Sequence, residues 1–184
     1  MKKGIFQQRS FGCCVSFTCV FSCLLALGVS LCGCAGIGGY SNESLFPRDV
    51  STVCVKMFDN QSFRRGVEYD LSDALAKRIE AETPYKIVSN PDLADTVISG
   101  QITSIGELAL STDRDIGAVL EKEVEVQAVV TWKNLKTGEL LIDHLPVVAS
   151  ASYSEFQMQD FKYASSVAAN NLARKIVELM ERNW

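Results

Sequence analysis

From Leu120 to Trp132 the chain changes character at almost every residue. Val124, Val126, Ala128, Val130 and Trp132 alternate with Glu123, Glu125, Gln127, Val129 and Thr131. A period of two sends successive side chains to opposite faces of a strand, so one face here is apolar and the other mostly polar. Such a strand holds only in a sheet with one face on a core and the other toward water or a hydrophilic partner. This segment excludes an all-helical fold, and the rest of the chain has to supply both the neighbouring strands and the cover.

Asn134 to Gly138 reads as a turn closing a hairpin onto a further strand, Glu139 to Tyr153. The apolar phase of that strand shifts from Leu140 and Ile142 to Val147, Ala149, Ala151 and Tyr153. A bulge near Leu145-Pro146 accounts for the shift, and proline suits a bulge or an edge. Upstream, Asp95 to about Leu110 reads as a long strand, with Ile98, Ile102, Leu108 and Leu110 on one face. Ser99, Gln101, Thr103 and Glu107 take the other, and Ser111 to Gly117 is a polar loop. Val50 to Phe58 reads as a strand with Val53, Val55 and Met57 inward, and Tyr85 to Val88 as a short one.

Two segments carry helical spacing. Between Gly66 and Thr83, the residues Val67, Leu71, Ala74, Leu75, Arg78 and Ile79 fall on one side, and Thr83-Pro84 ends the helix. Asp160 is a natural N-cap for a last helix with the stripe Phe161, Ala164, Ala168, Leu172, Ile176 and Leu179, expected to run to about Arg182 with basic residues in its last turns. The order β-α-β-β-β-β-α predicts an α+β domain: two helices packed on one face of a mostly antiparallel four- to five-stranded sheet.

The first third of the chain obeys other rules. Up to Gly33 it carries Lys2, Lys3 and Arg9, no acidic residue, and an uncharged run from Phe11 to Leu31. A basic start, an apolar stretch and small residues at its end form a secretory signal, an uncleaved membrane helix being the alternative. Leu31-Cys32-Gly33-Cys34 resembles the lipobox of bacterial lipoproteins, which has an aliphatic residue three before the cysteine and a small one just before it. The resemblance implies cleavage before Cys34 and covalent acyl chains on it, with no other cofactor. Cys32 fits less well, because bulky Leu31 precedes it. In the same resemblance an aspartate after the cysteine favours the inner membrane; Ala35 stands there, which implies the periplasmic face of the outer membrane. The expected organisation is a signal peptide over 1–33, a lipid anchor and Gly-rich tether over 34–49, and a folded domain over 50–184.

Of the seven cysteines, five (13, 14, 19, 23 and 32) lie in the leader and one is the anchor, so Cys54 alone is left in the domain. A disulfide scaffold and a cysteine zinc site are both excluded. Losing Lys2, Lys3 and Arg9 with the leader takes the formal net charge from −4 to −7, against nucleic-acid binding.

The search for catalytic chemistry finds none. The single histidine, His144, sits in a strand and lacks the companions a metal site needs. No nucleophile elbow, phosphate loop or dinucleotide fingerprint occurs. Glu121, Glu123 and Glu125 share one strand face beside Lys122 and read as a solvated row. Asp113 and Asp115 flank Arg114 in a loop, a poor calcium site. The chain is therefore expected not to be an enzyme. Arg64 and Arg65 beside Phe63, and Lys133 and Lys136 at the hairpin turn, are the basic residues able to meet an anionic ligand; solvated surface charge is the plain alternative.

At the level of motifs the chain resembles a family. Gly39-Tyr40, Leu45-Phe46-Pro47, Thr52-Val53, Phe58-Asp59-Asn60, Gly66-Val67-Glu68 and Leu71 form one part. Ala74-Leu75, Thr83-Pro84-Tyr85-Lys86-Ile87-Val88 and Ala94-Asp95-Thr96-Val97-Ile98-Ser99-Gly100 continue it. This run resembles the LptE family of lipopolysaccharide-assembly lipoproteins from Gly39 to Ile102; beyond it the hairpin and last helix agree in layout. Tyr40 stands six residues after Cys34, whereas many relatives have it almost adjacent. The resemblance implies a plug inside the outer-membrane barrel LptD that assists its assembly and contacts lipopolysaccharide in transit. The implied lipopolysaccharide contacts are basic, with Arg64, Arg65, Lys133 and Lys136 as candidates. The polar sheet face, with Gln101, Thr103, Glu125 and Gln127, is the candidate surface toward the barrel. A fully extended tether from Ala35 to Asp49 would reach roughly 50 Å, enough to enter the lumen. The same strand-helix-strand pattern recurs in the N-terminal domain of TolB and in CsgG-like and LpoB-like periplasmic modules, so an interaction module with another partner is the alternative.

Overall fold

The computed structural model describes residues 45–181; the signal peptide, Cys34, most of the tether and Arg182 lie outside the described residues. The elements are β1 (Thr52–Val55), β2 (Asp59–Asn60), α1 (Val67–Glu82), β3 (Lys86–Ile87), β4 (Thr96–Thr112), β5 (Val119–Asn134), β6 (Leu140–Tyr153) and α2 (Phe161–Leu179). They form an α+β domain with two helices and a six-stranded sheet in the order β3-β1-β4-β5-β6, with β2 added to β4.

The sheet is mixed, which corrects the mostly antiparallel four- to five-stranded expectation. β1 pairs in parallel with β3 and with β4, and β2 also runs parallel to β4. The cause is the helix between β1 and β3: a crossover helix returns the chain to start the next strand in the same direction. The β4-β5 and β5-β6 pairs are antiparallel hairpins, as the turn signals require. Asn134 closes the second hairpin. Its side chain accepts from Lys136 N and Thr137 N, while Gly138 takes the left-handed φ of 76°.

Both helices cover one face of the sheet. Val67, Leu71, Ala74, Leu75 and Ile79 of α1 are buried against it, as are Ala164, Ala168, Leu172 and Ile176 of α2. From the sheet, Val53, Ile98, Ile102, Val124, Val126, Ala128, Val130 and Trp132 complete this core. Asp160 caps α2 as expected, its carboxylate accepting from Tyr163 N at 2.8 Å. That helix ends at Leu179 with no basic residue in its last turn, and Met180 rather than the half-exposed Leu179 closes the core.

Three local differences bear on the site. First, the expected strand Val50 to Phe58 breaks after Val55, leaving Met57 exposed, and pairing resumes at Asp59–Asn60. Cys54 is buried on the face away from the helices, under Val88, Ala94 and Val97, because the β3-β4 connection crosses there. Second, the last residues of the expected tether belong to the domain. Phe46 and Val50 are in the core, Phe46 meets the Tyr85 ring edge-on at 5.9 Å, and the Tyr85 hydroxyl donates to Pro47 O. The boundary expected at Asp49 therefore falls too late: Phe46 and Val50 already belong to the folded domain. Third, bulges re-phase two strands. In β6 the register jumps from Val130↔Leu145 to Trp132↔Ile142, which places the bulge at Asp143-His144, one step before Leu145-Pro146, with His144 at φ 44°. In β4 it jumps between Ile102 and Ser104.

Candidate functional site: the open sheet face

The bulge at Thr103 decides what the uncovered face presents. Before it, Ile98 and Ile102 point to the helices and Ser99 and Gln101 away from them. Past it the parity reverses, so Glu107 points to the helix side and Leu108 and Leu110 to the open face, where they are about half exposed. The expected assignment of Leu108 and Leu110 to the core face, and of Glu107 to the polar face, is thus inverted. A bulge leaves no mark in residue type, so alternation alone carried the wrong phase through it.

The four candidate barrel-facing residues lie together around this bulge. Gln127 Nε2 donates to Glu125 Oε1 at 2.7 Å, and Thr103 Oγ1 donates to the Gln127 carbonyl at 3.3 Å. Gln101 Oε1 accepts from Gln61 Nε2 at 3.2 Å. Glu121, Glu123 and Glu125 continue the same face along β5 beside Ser150 and Ser152 of β6. Among the described residues these three carboxylates enter no salt bridge.

The four candidate basic residues do not form one patch. Arg64 belongs to the far end of β4, where its guanidinium pairs with Glu107 at 3.1 Å and stacks 3.7 Å from the centroid of the Phe161 ring. Lys136 belongs to the near end, paired with Asp95 just before β4 begins. Their partners Asp95 and Glu107 stand twelve residue steps apart along the chain, roughly 40 Å of extended strand. Lys133 is exposed on the hairpin turn side and enters no ion pair among the described residues. Arg65 donates to the Asn60 carbonyl and lines a groove of about 470 Å³ with Tyr69, Phe161 and Lys162, between the N-termini of the two helices.

The loop before α1 is tied down from within. The Asn60 side chain donates to the Arg64 carbonyl and to Glu68, and accepts from Ser62 N and Ser62 Oγ. This gives the Phe-x-Asn motif a physical reason: Asn60 is the hub of the turn that starts the helix. Phe63 at its tip is fully exposed. Burial acts to raise the Glu68 carboxyl, but hydrogen bonds from Asn60 and Gly66 N, with the nearby Arg65 charge, hold it below the usual range.

Two charge clusters escaped the sequence reading. At the far end the Tyr153 hydroxyl donates to Glu107 at 2.8 Å, and Lys122 reaches both Glu107 and Glu155. The Tyr153 hydrogen bond, ahead of Lys122 and Arg64, holds the Glu107 carboxyl below the usual range. At the near end Asp95 accepts from Lys136 and from Ser51 N and Thr52 N, while Thr52 Oγ1 accepts from Asp95 N. The Lys136 ammonium, then the two amides, lower the Asp95 carboxyl far below its ordinary range. The Ala-Asp-x-Val motif is a clasp joining the start of β4 to the start of β1.

Among the described residues no group of three His, Cys, Asp or Glu side chains could hold a metal ion, and no helix is long and apolar enough to cross a membrane. The geometry defines a protein that presents a surface: a helix-backed sheet with one broad polar face left open. The chain belongs to the LptE lipopolysaccharide-assembly family, whose profile matches residues 50–183. Curated proteins give no match. Solved structures include lipoprotein B from Nitrosomonas europaea, at 14% identity and TM-score 0.48 over 72% of this chain and 81% of that one. The rare lipoprotein B from Shewanella oneidensis has 16% identity and TM-score 0.42 over 68% and 93%. The PelC dodecamer from Paraburkholderia phytofirmans has 13% identity and TM-score 0.44 over 76% and 96%.

Proposed function

We propose that this chain is an outer-membrane lipoprotein, held at the periplasmic face by acyl chains on Cys34, that seats its open sheet face against the inner wall of an LptD-like β-barrel. In that place it plugs the barrel, assists its assembly and takes part in lipopolysaccharide transport to the cell surface. It does so by binding and not by catalysis. Family membership supports the reading. The observation that carries it is the division of the sheet into one face buried under both helices and one that, past the β3-β4 connection over β1, is open along β4, β5 and β6 and bears Gln101, Thr103, Glu125 and Gln127.

A water-filled barrel lumen is polar, so a plug within it has to bury a polar surface, and these groups exchange water for partner hydrogen bonds at little cost. Leu108 and Leu110 add an apolar contact at the far end of the same face. Among the described residues Arg65 and Lys133 are the two candidate basic residues that enter no salt bridge, and they are the ones assigned to lipopolysaccharide phosphates; Arg64 and Lys136 hold the fold. Acyl chains on Cys34 would keep the domain close to the membrane and so raise its effective concentration at the barrel.

The test is affinity purification of the tagged full chain from detergent-solubilised membranes. Recovery of one large β-barrel protein supports the reading. Recovery only of soluble periplasmic proteins, or of a peptidoglycan synthase, assigns the chain to the interaction modules of the CsgG, LpoB or TolB kind.

A further inference from the structure

Among the described residues β6 is the long outer strand of the sheet and pairs with β5 alone. An exposed edge of fourteen residues is a ready template for another chain. Two side chains from one face of α2 close its middle. Lys175 Nζ donates to the Val148 carbonyl at 2.6 Å, and Asn171 Nδ2 donates to the Ser150 carbonyl at 3.0 Å. The match follows from geometry: α2 runs antiparallel to β6, and one helical turn, about 5.4 Å, nearly equals two strand residues, about 6.8 Å. Residues 171 and 175 therefore stand over carbonyls 150 and 148 in turn. In an antiparallel ladder the N–H and C=O of one residue point the same way, so Val148 and Ser150 direct both groups outward. Pro146, two residues earlier, is in the same outward phase and has no N–H to offer. The bulge at Asp143-His144 then turns the strand out of line.

We propose that Asn171 and Lys175 guard a latent self-pairing site, and that without them β6 joins β6 of a second copy of this chain. A second copy fits because the free edge is self-complementary. In an antiparallel pair centred on Ala149, Val148 of each chain exchanges both backbone bonds with Ser150 of the other, a closed two-fold contact. Val148 is 38% and Leu145 39% exposed, so pairing also covers apolar surface. The guards satisfy the two carbonyls in the single chain and would have to swing off for pairing to occur. The monomer is kept, and the open face stays free for a different partner.

The experiment uses the full chain purified in detergent, with the protein mass in the micelle read by light scattering over a dilution series. The wild type holds the mass of one chain. The double variant N171A/K175A shifts to the mass of two, with self-association about tenfold tighter or more, and K175M alone shifts part of the way. Adding Val148→Pro to the double variant removes an outward N–H and returns the single-chain mass. Circular dichroism on every variant checks that the helices are intact. A folded double variant that stays a single chain overturns the proposal. So does a dimer that Val148→Pro leaves unchanged, because that association lies elsewhere, and so does a wild type that already pairs through β6. None of these outcomes depends on whether a barrel is the partner.

Discussion

The Phe58 ring occupies the space that a side chain on Gly100 would need: a β-carbon there would stand 2.5 Å from Phe58 Cε1 and 2.4 Å from the Val129 carbonyl oxygen. Gly100 is thus the notch in β4 that seats the aromatic residue of the Phe-x-Asn motif, and it ties the two halves of the family pattern to one contact. Gly100→Ala should cost about 1–3 kcal/mol of stability by overpacking. Adding Phe58→Leu should recover part of that loss and not all, because the carbonyl cannot move aside. Urea unfolding of the two variants checks it; no loss in Gly100→Ala would mean the strand is free to shift at this point.

Asp95 sets a pH dependence. Its carboxyl is lowered on folding by Lys136 and two backbone amides. A depressed acid stabilises the fold above its unfolded pKa of about 3.9, and that contribution fades as pH falls toward the folded value. Asp95→Asn should therefore destabilise by about 1–3 kcal/mol at pH 7. The gap between variant and wild type should narrow steadily below about pH 4. Thermal unfolding at pH 7, 4 and 2.5 reads this; a gap that widens on acidification has the wrong sign.

The two-layer packing predicts an asymmetry between the faces. Leu75 and Leu172 are fully buried between helices and sheet, while Thr103 is exposed in the bulge. Leu75→Ala and Leu172→Ala should each cost roughly 2–5 kcal/mol. Thr103→Ala should stay within about 0.5 kcal/mol. Equal losses at all three positions would place the open face inside the monomer's own core.

The anchor is tested at the mature N-terminus. Mass spectrometry should find an acylated Cys34, and Cys34→Ala should leave the precursor unprocessed or release a soluble chain. An N-terminus at Cys32, or intact precursor in the wild type, contradicts the lipobox reading.

Much of this fold was legible in the sequence, and the failures share a cause. The buried face of β5 from Val124 to Trp132, both helical stripes and the Asp160 cap were written in local periodicity. Strand direction was not, because pairing depends on how a crossover returns the chain and not on the residues that pair. Leu108 and Leu110 were misassigned because the bulge at Thr103 adds one backbone residue without changing residue type. Phe46 was placed in the tether because it stands among Asn42, Glu43, Ser44 and Pro47, which carry no periodicity, yet its ring packs edge-on against Tyr85 in the core. Alternation placed Ser99, Gln101, Glu125 and Gln127 on the side away from the helices, where the sheet has them, but it put Glu107 there too, past the bulge, where it does not belong. The separation of Arg64 from Lys136 could not be read that way, since it is a distance along β4 that only the assembled sheet displays.

The central claim is that the open face meets a barrel. Its most direct test is photo-crosslinking in intact cells from positions 101 and 125, which lie on that face, and from 136 at the hairpin turn. Crosslinks from 101 and 125 to a single large outer-membrane β-barrel protein are the result predicted. Crosslinks from these positions only to soluble periplasmic proteins, with none to a barrel, would contradict it.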